Sequence, residues 1–175
     1  RHRFSFNFIY DLPAFRARRG ALRLPLGGLQ IAGTGRFQTG QPFTVNSIYD
    51  INLDGNLTDR LNTTNGIVET GDRSRPIALV PGTNTFSLLA PIGADGSVGR
   101  NTFRTGSVLE LDMAVIKSFN ITEKQRLMFR MDVFNFINRS NFGVPVRFLE
   151  APGFGRATDT VTPGRRIQFS LKFAF

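Results

Sequence analysis

The chain has 175 residues, no Cys, one His and a formal charge of +9, and 41% of its residues are hydrophobic. Without Cys there is no thiolate metal site, disulfide or cysteine chemistry, and a single His forms no His cluster. The positive charge must face water or an anionic surface, but Arg and Lys are scattered through apparent loops and strand ends without the helical stripe of a nucleic-acid reader, so nucleic acid is not an expected partner.

Alternation with period two dominates the pattern, in stretches near the roughly 9 to 11 residues that a tilted membrane strand needs. No run approaches the roughly 18 apolar residues of a transmembrane helix, and no signal peptide is present. The chain opens on Arg1 with alternation already under way, which reads as a cut in a longer protein. Phe4, Phe6, Phe8 and Tyr10 fall on one face of a first strand, with Ser5 and Asn7 on the other. Asp11, Leu12 and Pro13 end it, and the basic segment 16–28 reads as a turn region. A second strand from Leu29 sets Leu29, Ile31, Gly33, Gly35 and Phe37 against Gln30, Ala32, Thr34, Arg36 and Gln38. Its glycine pair marks bending or close packing.

From about 46 to 105 the composition turns to Asn, Asp, Thr, Gly and Pro with little period, a long loop. Alternation resumes with Leu109, Leu111, Met113 and Val115, blurs at Ile116 and Lys117, and after a short polar link at 120–125 returns as Leu127, Phe129, Met131 and Val133. These two strands read as a hairpin. A second long loop spans about 138–164, and a fifth strand places Ile167, Phe169, Leu171, Phe173 and Phe175 on one face.

The expected fold is therefore all-β and antiparallel. Long connections follow the second and fourth strands and short ones the first and third, so the long ones share one side of the sheet, as in outer-membrane barrels. Mid-strand charges at Glu110, Asp112, Arg130, Asp132 and Lys172 suit a wet lumen. A soluble β-sandwich also alternates, but it must cover the Phe-rich face with a second sheet. About five strands do not close a barrel, since the smallest bacterial examples have about 8. The whole chain, 1–175, is expected to be the C-terminal part of one barrel domain.

The run Gly99-Arg100-Asn101-Thr102-Phe103-Arg104, the hairpin strands, and the run Phe134-Asn135-Phe136-Ile137-Asn138-Arg139-Ser140-Asn141-Phe142-Gly143 together resemble the C-terminal barrel of TonB-dependent transporters. The likeness is to the Oar-like branch, whose members carry an N-terminal carboxypeptidase-regulatory-like domain. Gly27-Gly28-Leu29-Gln30-Ile31, Gln38-Thr39-Gly40-Gln41-Pro42-Phe43 and the 50–60 segment are similar to the same branch. The resemblance implies about five C-terminal strands of a transmembrane barrel of about 22, with long extracellular loops and a plug domain absent from this chain. It implies import of a solute, driven by the TonB complex through that missing region, from the outer membrane of a Gram-negative bacterium. Outer-membrane lipid and lipopolysaccharide are the implied surroundings. Phe169, Phe173 and Phe175 are similar to the signal read by the barrel-assembly machinery. Trp is absent, so the 18 Phe must supply most of the aromatic girdle.

Asp50, Asn52 and Asp54 before Gly55 space oxygen ligands as in the first half of a calcium loop, with Asp59 placed to close a small site. The twelfth position holds Leu61 instead of the Glu of an EF-hand. An Asp/Asn/Gly turn held by its own side-chain hydrogen bonds gives the same composition. Arg130 and Asp132 either meet a plug or solute, or pair with each other. Arg73, Arg75, Arg100 and Arg104 in the first long loop are candidates for lipopolysaccharide phosphate or another anion, or are plain solvated charges. With no nucleophile elbow and no convergent carboxylate pair, the chain is not expected to be an enzyme. The alternative to transport is a soluble all-β module, with calcium-assisted carbohydrate binding at Asp50, Asn52 and Asp54.

Overall fold

The computed structural model describes residues 2–12 and 28–175, so most of the expected turn region at 16–28 lies outside the described residues. The described residues fall into two compact units, one built from 38–108 and 140–162 and the other from 3–37, 109–139 and 163–175.

The second unit is a five-stranded sheet: β1 (Arg3–Asp11), β2 (Leu29–Gln38), β7 (Val108–Asn120), β8 (Arg126–Phe134) and β9 (Arg166–Ala174), hydrogen-bonded in that spatial order. Numbers β3 to β6 belong to the other unit. Each of the five alternating runs in the sequence is one of these strands. The β7–β8 register pairs Met113 with Val133 through Asn120 with Arg126 without a bulge, and β8–β9 pairs Arg126 with Ala174 through Phe134 with Arg166. The β7–β8 turn is closed by the Ile121 amide donating to the Gln125 carbonyl at 2.9 Å.

Register decides the faces. Phe129 pairs with Leu171 and Met131 with Phe169, so the odd positions of β8 and β9 share one apolar surface. The rings of Phe129 and Phe169 stack at 6.0 Å. The glycines of β2 are used for close approach. A Cβ on Gly33 would lie 2.6 Å from the Phe8 ring, and one on Gly35 only 2.3 Å from the Phe6 ring. The Phe6 and Phe8 rings thus each lie over a glycine on β2, covering backbone that would otherwise be bare.

The apolar face is uncovered. Phe4 is 62% exposed, Phe169 63% and Leu171 68%. A sandwich would bury these residues; a membrane wall presents them to lipid. One charge interrupts the face: the unbroken register sets Lys117 opposite Phe129, and its Nζ lies 4.8 Å from the Phe119 ring. The blur at 116–117 is thus a Lys on the apolar side and an Ile on the polar side, with no break in the strand. Lys117 is only 7% exposed, its ammonium packed against that ring.

The other unit is formed by the two segments that read as irregular loops. They are ordered. β3 (Pro42–Phe43) pairs with β6 (Phe103–Arg104), and β4 (Ile67–Asp72) pairs with β5 (Arg75–Leu79) as a hairpin. A ladder between 141–146 and 156–161 includes the Val146 amide donating to the Arg156 carbonyl at 2.9 Å. The core of this unit joins Leu61, Ile77, Leu88 and Leu149, each at most 1% exposed, with the Phe43–Phe103 ring pair at 5.9 Å. Burying each such side chain contributes about 1.5–3 kcal/mol. Gly155 adopts φ +77°, and a Cβ there would lie 1.9 Å from the Ile77 carbonyl, so only Gly fits. These core residues come from segments far apart in sequence with no shared period, and for that reason the pattern hides the unit.

Candidate functional site

The polar face of the sheet carries the five charged residues singled out from the sequence. Glu110, Asp112, Arg130, Asp132 and Lys172 all occupy even positions, and the register puts Asp132 beside Gln168 and Lys172 beside Met128. Glu110 is bridged to Arg36 on β2 at 2.9 Å. Arg130 grips Asp132 through Nε and a terminal nitrogen, at 2.7 to 2.9 Å, so the two satisfy each other along one strand. Their side chains stay 47% and 18% exposed. Such a pair contributes about 0–1 kcal/mol, but it fixes a charged, wettable strip on the sheet.

Asp112 has a different job. Its Oδ1 accepts from the Asn135 amide at 2.8 Å, at the end of β8. Asn135 is 5% exposed, with φ 51°. Its side chain accepts from the Arg139 amide at 2.9 Å and donates to the Arg139 and Pro163 carbonyls at 3.1 Å each. Asn138, also left-handed at φ 51°, accepts from the Arg165 amide at 3.4 Å. This knot fastens the chain leaving β8 to the chain entering β9. Asn suits both positions, since it tolerates φ > 0 and carries both a donor and an acceptor.

The candidate calcium loop is a tight Asx turn. Asp50 accepts from the amides of Asp54 at 3.1 Å and Gly55 at 2.9 Å, Asn52 from the Asp54 amide at 3.1 Å, and Asp54 from the Asn56 amide at 2.7 Å. Asp59 is 5% exposed and takes the Ile51 amide at 2.6 Å. The turn is held by these backbone N–H groups. Among the described residues no group of three or more His, Cys, Asp or Glu is arranged to hold a metal ion. The Asn56 amide and the Asn52 side chain hold the Asp54 carboxyl below its ordinary value.

The aromatic residues at the end of the chain keep their period. Phe169 and Phe173 are on the apolar face, 63% and 49% exposed, and the Phe173 and Phe175 rings approach to 6.0 Å. In the compact unit, Arg73 and Arg75 flank the tip of the β4–β5 hairpin and Arg104 ends β6. Arg156, not singled out from the sequence, lies in the segment that meets this tip: the Ala157 amide donates to the Ser74 carbonyl at 2.7 Å. Arg100 lies apart, in the segment tied to Thr44 by the Asn101 amide at 2.9 Å.

No curated protein and no solved structure gives a significant match to the chain. A family of outer-membrane proteins does match, over residues 1–168. Together with the uncovered apolar face, this removes the soluble-module alternative and places the protein in the outer membrane of a Gram-negative bacterium, in contact with its lipids. The chain belongs to the family described as Outer membrane beta barrel domain.

Proposed function

We propose that the chain forms the last strands and extracellular loops of a TonB-dependent, Oar-like receptor that imports a solute, without covalent chemistry. The observation that carries this reading is the polar face of the sheet. Arg36 with Glu110, Arg130 with Asp132, and Lys172 keep charge in mid-strand, as a wide, wet lumen requires and a narrow, side-chain-filled barrel does not. The resemblance of the 99–104 and 134–143 runs to the Oar-like branch supports a 22-stranded barrel whose remaining strands, plug and TonB contacts lie outside the chain. Phe169, Phe173 and Phe175 serve the barrel-assembly machinery as its recognition signal, and lipopolysaccharide surrounds the outer ends of the strands.

The test is accumulation of a panel of siderophores, cobalamin, oligosaccharides and peptides in isogenic cells with and without the full-length protein, each with and without a functional TonB complex. Uptake of one class that requires both is the expected result. Uptake that ignores TonB marks a passive barrel and contradicts the proposal.

A further inference from the structure

Four arginines lie on three separate segments of the compact unit whose backbones meet at the tip of the β4–β5 hairpin. Arg73 and Arg75 belong to the tip itself. The chain after β6 packs on it: a Cβ on Gly106 would lie 3.2 Å from the Arg73 Cβ, and Arg104 is two residues earlier. Arg156 precedes the residue whose amide binds the Ser74 carbonyl at 2.7 Å. A weaker bond from Arg73 to the Ser140 carbonyl, 3.5 Å, ties the tip to a further segment.

All four side chains belong to exposed residues, and among the described residues none is in a salt bridge, although the acidic residues across 38–108 and 140–162 outnumber the basic ones by one. The charge is segregated, not deficient. Asp50, Asp54 and Asp95 gather elsewhere, linked through Asn52, whose Nδ2 is 3.1 Å from Asp54 and 2.8 Å from Asp95. The one carboxylate at the tip, Asp72, is turned onto Ser74, accepting from its amide at 2.7 Å and its hydroxyl at 2.9 Å. Arginines without a salt-bridge partner on neighbouring ordered segments, with Asp72 the acidic group acting on Arg73, present a positive surface that a ligand with several oxyanions satisfies. Guanidinium matches phosphate geometry with two parallel hydrogen bonds, which makes phosphate the best-fitting oxyanion.

We infer that Arg73, Arg75, Arg104 and Arg156 form a binding site for a phosphate-bearing ligand carrying more than one phosphate, either a phosphorylated lipid headgroup or a free polyphosphate. This does not depend on the transport proposal, since a passive barrel has the same use for it.

Native mass spectrometry of the detergent-solubilised full-length protein, titrated with diphosphorylated lipid A, its dephosphorylated form, or inorganic pyrophosphate, tests the site. Diphosphorylated lipid A or pyrophosphate should bind, with affinity about tenfold weaker after Arg73→Gln combined with Arg156→Gln. Arg100→Gln with Lys124→Gln removes the same charge outside these three segments and should leave binding unchanged. Binding of lipid A alone assigns the site to a headgroup, and competition by pyrophosphate assigns it to phosphate from either source. Equal loss in both double variants, binding of dephosphorylated lipid A as tight as that of the phosphorylated form, or no binding of any probe would overturn the inference. Heat-modifiable migration on a gel confirms that each variant is folded before it is compared.

Discussion

Replacing Asn135 with Ala removes the centre of the knot between β8 and β9. Three side-chain hydrogen bonds are lost, to the Arg139 amide and to the Arg139 and Pro163 carbonyls, and their partners face a residue site only 5% exposed. At about 1 kcal/mol net for each bond the loss is about 3 kcal/mol. Holding Ala at φ 51° adds about 1 kcal/mol, for a total of about 4 kcal/mol. Asn135→Gly loses the same bonds but not the conformational term, so it should be the milder variant by about 1 kcal/mol. Urea midpoints of the full-length protein in detergent–lipid bicelles, followed by heat-modifiable migration, measure both. Equal stability of Asn135→Ala and wild type would refute the assignment of these bonds, and equal stability of the Ala and Gly variants would refute the backbone argument.

Other expectations follow from the same geometry. Gly35→Ala should destabilise the wild type by about 1 kcal/mol by displacing the Phe6 ring, yet be neutral or stabilising in a Phe6→Ala background; additivity in a double-mutant cycle would remove the ring-over-glycine contact. Leu61→Ala, at a site with 0% exposure, should cost about 2–5 kcal/mol and raise protease cleavage between 46 and 105, whereas unchanged proteolysis would mean that the long connection lacks a core of its own. Calcium or EDTA should leave the thermal midpoint unmoved, because backbone amides already hold the Asp50–Asn56 turn; a calcium-dependent rise would show a metal site there. Backbone amides, Asn56 on Asp54 and Ser74 on Asp72, hold both carboxyls below the ordinary carboxylate range, so the turns they support are fully stabilised above that range and lose support as pH falls through their lower folded values. Proteolysis of the compact unit should therefore accelerate only below about pH 4, and acceleration already near neutrality would point to other groups.

The five strands were legible because a sheet with one apolar face repeats every two residues, and β7 kept that period through Lys117 even where the pattern seemed to break. The charges of the polar face were legible for the same reason, as was the expectation that Arg130 and Asp132 pair. The compact unit was not, because Leu61, Ile77, Leu88 and Leu149 meet only after the chain has folded. Arg156 was missed on the same ground: its neighbours Arg73 and Arg75 lie some eighty residues away in sequence and are brought close by a single backbone bond, Ala157 to Ser74. The Asp50–Asp54 loop shows the converse limit. Oxygen spacing is identical for a cation site and for an Asx turn, so the spacing alone does not choose between them.

The central claim, that one face of this sheet meets lipid and the other water, is tested most directly by site-directed spin labelling along β9 in the full-length protein in outer-membrane lipid. The chain contributes no Cys, so single Cys labels from Ile167 to Phe173 are clean within it. The account predicts that oxygen accessibility peaks at 167, 169, 171 and 173 while a water-soluble nickel chelate reaches 168, 170 and 172. Accessibility to the chelate without that two-residue alternation, or burial of both sets from either reagent, would contradict it.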